Sequence, residues 1–501
     1  MTSRRSAVVI GAGIAGIAAA ARLARQGYEV TVVEKNEQPG GRCGQLLRDG
    51  HRFDIGATLF LMPEVFAETY AALGERMVDH LQLLRVDPTY ELTFADGSAL
   101  SLSGDLTALA PQLEALEPGS FAAFLRYLQE GERHYRQAMQ HFVGRNFTSL
   151  PAYLAPRNLW LVWRMKALRK HYANVSGYFR HPHLRAAFTF QNMYLGLSPF
   201  EAPATYSLLQ YTELAGGVWL PRGGMVQVVK SLASIAEGQG VRFVYQAPVA
   251  QIAVEGRRAT GVRLQDGRQL AADVVLANAD LPYVYEQLLP AETAPRRLQR
   301  MKYTSSAIMF YWGVDCVYPQ LRTHNIFLGS DYRASFERIF EDHLLPEEPS
   351  FYVHAPARTD PGAAPQGQDT LMVLVPAGHL DAQAGQDWQS LQTQARSAVL
   401  KRLDGAGLTD LEAHLKFEVA FNPCDWQSRF SLAKGAAFGL GHDVWQVGYL
   451  RPHNRHDHYR NLYFAGSSTH PGAGVPLALL SARLATERVS QEMGGNRGGN
   501  G

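Results

Sequence analysis

The chain has 501 residues, too many for one compact domain, and its 46% hydrophobic and 19% charged residues exclude a disordered, collagenous or coiled-coil protein. Lysine and arginine number 48 against 46 aspartates and glutamates, a net charge of +2 without the signature of a nucleic-acid partner. Cys43, Cys316 and Cys424 are far apart and form no CxxC, which argues against a disulfide framework and a cysteine zinc site and fits a reducing compartment.

Residues 7–10 are a short apolar run that reads as a buried parallel strand. Gly11-Ala12-Gly13-Ile14-Ala15-Gly16 follows, and an alanine-rich stretch predicts a helix to about Gln26, stopped by Gly27. Residues 30–33 read as the next strand, ended by Glu34. A GxGxxG between strand and helix, with an acid about 20 residues on, is a dinucleotide-binding signature. Gly11 permits the tight turn, Gly13 lets a pyrophosphate approach the backbone, Gly16 lets helix and strand pack, and the helix start faces the phosphates. Glu34 can accept hydrogen bonds from a ribose; Ala15 and Lys35 flank these residues and join the candidate set. The same stretch follows Arg4-Arg5 and resembles a twin-arginine signal, but the nucleotide motif explains it better.

Pro39-Gly40-Gly41-Arg42 reads as a turn continuing the site through Gly41 and Arg42, against an ordinary turn with a solvated arginine. Phe53-Asp54-Ile55-Gly56-Ala57-Thr58 offers a second close backbone approach at Gly56, Ala57 and Thr58; Asp54 is open to a surface-turn reading. Residues 92–102, with Asp96-Gly97 between, predict a hairpin. From Arg133 through Phe200 there is no acid, while ten arginines and lysines alternate with Tyr153, Trp160, Trp163, Tyr172 and Tyr178. Residues 159–168 are a mixed apolar and basic helix candidate, the composition of a helix lying on an anionic membrane surface; a basic face paired with acids from elsewhere is the alternative. Apolar positions within 225–237 form a helical stripe, 241–245 read as a strand, 251–254 and 261–264 as a hairpin followed by a third strand, and 273–279 as a buried strand. His453, His456 and His458 read as a surface loop, not a metal site. Residues 462–464 form a strand ending at Gly466, a glycine- and proline-rich loop runs to Gly474, and Val475-Pro476 opens a helix to about Met493. Such a start can face a flavin ring, its partial positive charge favouring the anionic reduced form; a capping helix without a ligand is the alternative. No run of about 18 apolar residues predicts a spanning helix.

The blocks GAGIAGIAAAARL (11–23), EKNEQPGGRCG (34–44), FDIGATLFLMPEVF (53–66), GGVWLPRGGM (216–225), RPHN (451–454) and NLYFAGSSTHPGAGVPLALLSARL (461–484) resemble the bacterial and fungal carotenoid, or phytoene, desaturases in family order. The resemblance implies an α/β fold: a Rossmann-like FAD-binding domain of glutathione-reductase type, discontinuous over 1–70, 215–300 and 440–495. It also implies an α+β substrate domain over 71–214 and 301–439, with membrane-associating helices at about 150–200 and a flexible tail at 496–501. It implies FAD bound by the residues above together with Val249, Gly466, Gly474 and Val475, and an apolar polyene beside Arg185, Gln191 and Tyr194, with packing or lipid contact the alternative for these three. For Val249, plain packing is the alternative. Ser467 stands where many relatives carry aspartate, so the contact there is assigned to the Gly466 backbone.

The implied reaction is the desaturation of a polyene, most simply phytoene taken in steps toward lycopene, with hydride passing to flavin and no metal or assigned catalytic base. Alternatives are another carotenoid (diapophytoene, zeta-carotene or a hydroxylated one), a flavin-dependent polyene isomerase, an amine- or porphyrinogen-oxidase-like enzyme, or a non-enzymatic lipid-binding protein. A forty-carbon polyene gains roughly 30 kcal/mol on leaving water, at about 0.8 kcal/mol per carbon, so it resides in a bilayer. The expected partners are therefore the polyene, the membrane surface and a quinone or oxygen as electron acceptor. The expected location is cytoplasmic, peripheral on the inner face of the membrane.

Overall fold

The computed structural model describes residues 4–147, 149–293 and 295–494; the expected tail at 496–501 lies outside the described residues. Strand β1 (Ser6–Ile10) lies centrally in a five-stranded sheet. Helix α1 (Ile14–Arg25) leads into β2 (Glu29–Val33), and helix α2 (Val226–Gly238) into β3 (Arg242–Val244). β4 (Val274–Ala277) and β5 (Leu462–Phe464) complete the sheet, and helix α3 (Val475–Gly494) follows. The order β5-β4-β1-β2-β3 is parallel throughout, so strands from the two ends of the chain share one sheet. All four residues of β4 are buried, as strands covered on both faces require.

Helices α1, α2 and α3 pack on one face of the sheet. Every residue from Ile14 to Ala21 is buried, and four consecutive alanines (Ala18 to Ala21) let the backbones approach closely. The other face packs on a three-stranded antiparallel sheet of Val249–Glu255, Arg258–Leu264 and Gln269–Ala271.

A seven-stranded sheet forms the second layer system, in the order Leu415–Phe421, Ser306–Val314, Asp369–Ala377, Phe351–His354, His324–Phe327, Tyr90–Thr93, Ala99–Leu102. Its pairs are antiparallel except that His324–Phe327 runs parallel to Tyr90–Thr93. Ile308, Phe310, Trp312 and Val314 pack with helix Trp388–Gly405, while the alternate residues Ala307, Met309 and Tyr311 face the other way. The hairpin expected at 92–102 is the Tyr90–Thr93/Ala99–Leu102 pair.

The helix expected over 159–168 runs instead over Pro156–Arg164. Proline occupies its first turn, where no N–H is needed, and Lys166 at φ +53° turns the chain into a left-handed conformation that no helix continues. Among the described residues no helix is long and apolar enough to cross a membrane.

Candidate active site

The chain turns sharply where β1 ends. Gly11 has φ +95°, a conformation open to glycine, and its N–H donates to Val33 O at 2.8 Å. A Cβ on Gly16 would sit 2.1 Å from Gly11 O, so only glycine lets α1 close on the turn. A Cβ on Gly13 would stand 2.6 Å from Asn278 Oδ1, so this position serves the end of β4 as well as any bound phosphate. Glu34, buried at the end of β2, accepts from Ala12 N at 2.7 Å through Oε2 and from Asn36 N and Nδ2 at 2.9 and 2.8 Å through Oε1. These bonds fix the carboxylate beside the turn. Lys35 donates to Ser428 O and Ser431 Oγ, both at 2.9 Å, and burial lowers its pKa.

The glycine pair 40–41 docks on the same turn, with Gly40 N donating to Ala12 O at 2.8 Å. Arg42 then reaches across to the far end of the chain: Nη1 donates to Ala437 O and Nη2 to Ser467 Oγ, each at 2.7 Å. Burial lowers the pKa of its guanidinium, with Asp280 opposing the shift. Expected to continue the nucleotide site, Arg42 is the clamp that holds the loop after β5, and Ser467 is its partner. Asp54, open to a surface reading, is buried; its carboxylate accepts from Met225 N at 3.0 Å at the start of α2, and burial pushes it up to about 7.

Three residues that sequence reasoning left out organise the C-terminal half. Asn278, just past β4, sets Oδ1 against Gly13 and donates through Nδ2 to Ala465 O at 2.7 Å. Asp280 accepts from Ser468 Oγ and from Ala433 N, and burial raises its pKa. Arg451 of the RPHN block is fully buried and donates to the carbonyls of Leu440, Gly441, Gln446, Ser467 and Thr469, closing the loop that carries residues 467–474. An arginine in a stretch rich in Arg, His and Asn gives no local sign of this role. His456, expected on a surface loop, is buried, its Nδ1 accepting from His458 N and Tyr459 N.

These elements surround one cavity of about 630 Å³. Gly11, Gly13, Ala15, Glu34, Lys35, Gly41, Arg42, Gly56, Ala57, Thr58, Val249, Gly466, Gly474 and Val475 all line it, as does Tyr194. Gly16 does not; it acts through packing. Arg185 and Gln191 are also off the wall: Arg185 Nε donates to Phe179 O at 2.9 Å, and Gln191, fully buried, donates to Ala187 O at 3.2 Å. The expectation that these two face the substrate is corrected on that ground.

One end of the cavity is a glycine-lined turn under the start of α1, with a fixed carboxylate at the end of β2, and the start of α3 points into the same space. Missing Cβ atoms, backbone N–H groups and two helix starts fit the phosphates and ring of a flavin dinucleotide. The other end is apolar, walled by Phe190, Leu195, Leu209, Met309 and Leu374, and by Val162 and Met165 from the acid-free segment. Among the described residues Glu34 and Asp280 are the only carboxylates on the wall, both at the nucleotide end.

A nucleotide domain whose parallel sheet is covered by helices on one face and an antiparallel sheet on the other, joined to a second β-sheet domain with a shared cavity between them, defines an FAD-dependent oxidoreductase. Residues 14–490 match the family described as flavin containing amine oxidoreductase. The chain belongs to that family and, within it, to the phytoene desaturases. A zeta-carotene-forming phytoene desaturase of Myxococcus xanthus is 47% identical over 490 residues, covering 97% of this chain and 94% of that one. A phytoene desaturase of Phycomyces blakesleeanus is 42% identical, covering 99% and 86%. A 4,4'-diapophytoene desaturase of Staphylococcus haemolyticus is 33% identical, covering 97% and 98%. Among solved structures, a variant of putrescine oxidase shares the fold at TM-score 0.65 and 15% identity, covering 97% of this chain and 99% of that one.

Proposed function

We propose that this enzyme desaturates phytoene in several steps toward lycopene, drawing its substrate from a membrane surface. The observation that carries the reading is the single cavity, in which a nucleotide cradle opens without a break into an apolar chamber. A polyene offers no polar group for recognition, and the chamber offers it hydrocarbon walls. Among the described residues the apolar end offers an amine no carboxylate to pair with its ammonium.

In this reading residues 1–70, 215–300 and 440–495 form the FAD-binding domain, and residues 71–214 and 301–439 the substrate domain. Bound FAD supplies the hydride acceptor. Gly11, Gly13 and Ala15 meet its pyrophosphate, Glu34 its ribose and Val249 its adenine, while Gly41, Arg42, Gly56 to Thr58, Gly466, Gly474 and Val475 line the rest. The chain's part in the chemistry is to align the C–H bond of a rigid polyene with the flavin and to exclude water while the allylic cation exists.

Helix Pro156–Arg164 supports a membrane portal. Val162 on the helix and Met165 just past its end line the cavity, while Leu159, Trp160 and Trp163 are exposed on its outer side. Arg164 lies over the Trp160 ring at 4.9 Å, and Leu168 is exposed just beyond the helix. Acids from elsewhere pair with Arg136, Lys166 and Lys170. Among the described residues no carboxylate lies within ion-pair distance of Arg157, Arg164 or Arg169. An amphipathic basic surface over the cavity wall suits docking on anionic lipid at the inner face of the membrane, with a quinone or oxygen reoxidising the flavin.

The test is incubation of the purified protein with FAD and phytoene-loaded liposomes, followed by chromatography of the pigments. The reading expects products with added conjugated double bonds. Phytoene recovered intact, with flavin bound and acceptor supplied, contradicts it.

A further inference from the structure

The seven-stranded sheet presents a row of four side chains to the cavity. Met309, Leu374, Tyr352 and Ile326 are register partners on four neighbouring strands, and all four line the wall. Three are apolar; Tyr352 alone brings a hydroxyl. Its Oη lies 2.9 Å from Thr58 Oγ1, in the segment that follows the Gly56-Ala57 approach, and 2.7 Å from His324 Nδ1. His324 is fully buried, and its Nε2 has no partner among the described residues. The same holds for Nε2 of His354, whose ring stacks on His324 with centres 5.1 Å apart and planes 11° apart. His324 reaches the wall only through Tyr352, whereas the two imidazoles on the wall itself are bonded to the backbone through Nε2: His442 Nε2 accepts from Ala473 N at 2.8 Å, and His470 Nε2 meets Arg145 O at 3.0 Å.

Resting on the desaturase reading above, we propose that Tyr352 accepts the proton that leaves the substrate and that His324 draws off the tyrosine's own proton. The substrate loses hydride to the flavin reversibly, leaving an allylic cation. The C–H bond on the adjacent carbon then breaks, its electron pair closes the new double bond, and this loss of the proton commits the reduction of the flavin. The proton bonds to Tyr352 Oη as the Oη hydrogen passes to His324 Nδ1, so the tyrosine ends neutral and the histidine as an imidazolium. With the Oη hydrogen on the His324 side, the Thr58 hydroxyl donates to Oη and leaves its remaining lone pair for the chamber. A C–H bond beside a carbocation is acidic enough to protonate a weak base. Burial, with His354 adding to it, holds His324 well below the ordinary imidazole range, so the imidazolium returns its proton to Tyr352 Oη as the hydrogen on Oη passes to water that enters the chamber when product leaves, and the pair is reset. Tyr352 is thus the catalytic residue and His324 the positioning residue behind it.

The experiment is anaerobic single-turnover flavin reduction by phytoene in liposomes, using FAD-loaded protein in H2O and in D2O. Tyr352→Phe is expected to slow reduction about 10²-fold while FAD content and liposome binding stay as in wild type. His324→Gln keeps an acceptor for the tyrosine hydroxyl but cannot carry a proton. It is expected to slow reduction and to lose the solvent isotope effect that wild type shows. Tyr352→Phe reacting within about two-fold of wild type, or His324→Gln retaining the full isotope effect, overturns the proposal. If Tyr352→Phe fails to hold FAD, the isotope effect in His324→Gln decides alone. A wild type whose flavin phytoene cannot reduce overturns the desaturase reading itself, a result distinct from normal reduction in wild type and both variants.

Discussion

Replacing Trp160 and Trp163 together with alanine tests how the substrate reaches the cavity. Trp160 is 49% and Trp163 74% exposed, so neither anchors the fold. A tryptophan carries about 200 Å² of burial, which leaves roughly 250 Å² of the pair in water, worth ~6 kcal/mol at about 25 cal/mol per Å². A helix lying in the interface recovers about half of that, ~3 kcal/mol, which corresponds to about 10²-fold in affinity. The assay is co-sedimentation with liposomes containing anionic lipid, alongside thermal unfolding. Binding is expected to fall about 10²-fold with an unchanged unfolding midpoint. Arg157→Glu with Arg164→Glu is expected to weaken binding further on anionic than on neutral liposomes, since each basic residue near such a surface contributes about 1 kcal/mol. Unchanged liposome affinity in the tryptophan variant refutes the docking surface and, with it, the portal over Val162 and Met165.

Gly16→Ala places a Cβ 2.1 Å from Gly11 O and is expected to cost about 1–3 kcal/mol of stability and most of the bound flavin, read by thermal unfolding and flavin absorbance. Glu34→Ala strands the Ala12 N–H and is expected to weaken FAD binding at least tenfold in titration, with Glu34→Gln retaining more. The pH dependence of unfolding tests Glu213, whose carboxyl burial pushes up to about 8 from an ordinary 4.5. A raised folded-state value means that its stability contribution is full below about 4.5 and is lost as pH rises through about 8. Unfolding midpoints of wild type are therefore expected to fall across that window, and Glu213→Gln to fall less.

The nucleotide half was legible because its signals are local. Gly11, Gly16 and Glu34 do their work within about 25 residues of chain, and the strand, helix and turn around them follow from hydrophobic period and glycine spacing alone. The β5–α3 end was legible for the same reason, through the Gly466 to Val475 loop. What escaped depends on contacts distant in sequence. Asn278 matters because Gly13 and Ala465 converge on it, and Arg451 because five carbonyls surround it; neither fact leaves a local pattern. Ser306–Val314 is buried at every position, so its sequence does not alternate and conceals which side meets the cavity. The row holding Tyr352 exists only through the register of four strands. Gln191 shares the Phe190–Leu195 turn with the wall residues Phe190, Tyr194 and Leu195 but bonds to Ala187, and Arg185 sits on the separate helix Pro182–Ala187; composition does not encode which side of a turn meets the cavity.

The central claim is that flavin and an apolar polyene share one cavity. The most direct measurement mixes the oxidised, FAD-loaded protein anaerobically with phytoene in liposomes and, separately, with simple amines, and follows the flavin's visible absorbance. Bleaching by phytoene, one flavin per double bond formed, with no response to amines, is the predicted result. A flavin that stays oxidised with phytoene and bleaches with an amine contradicts the account.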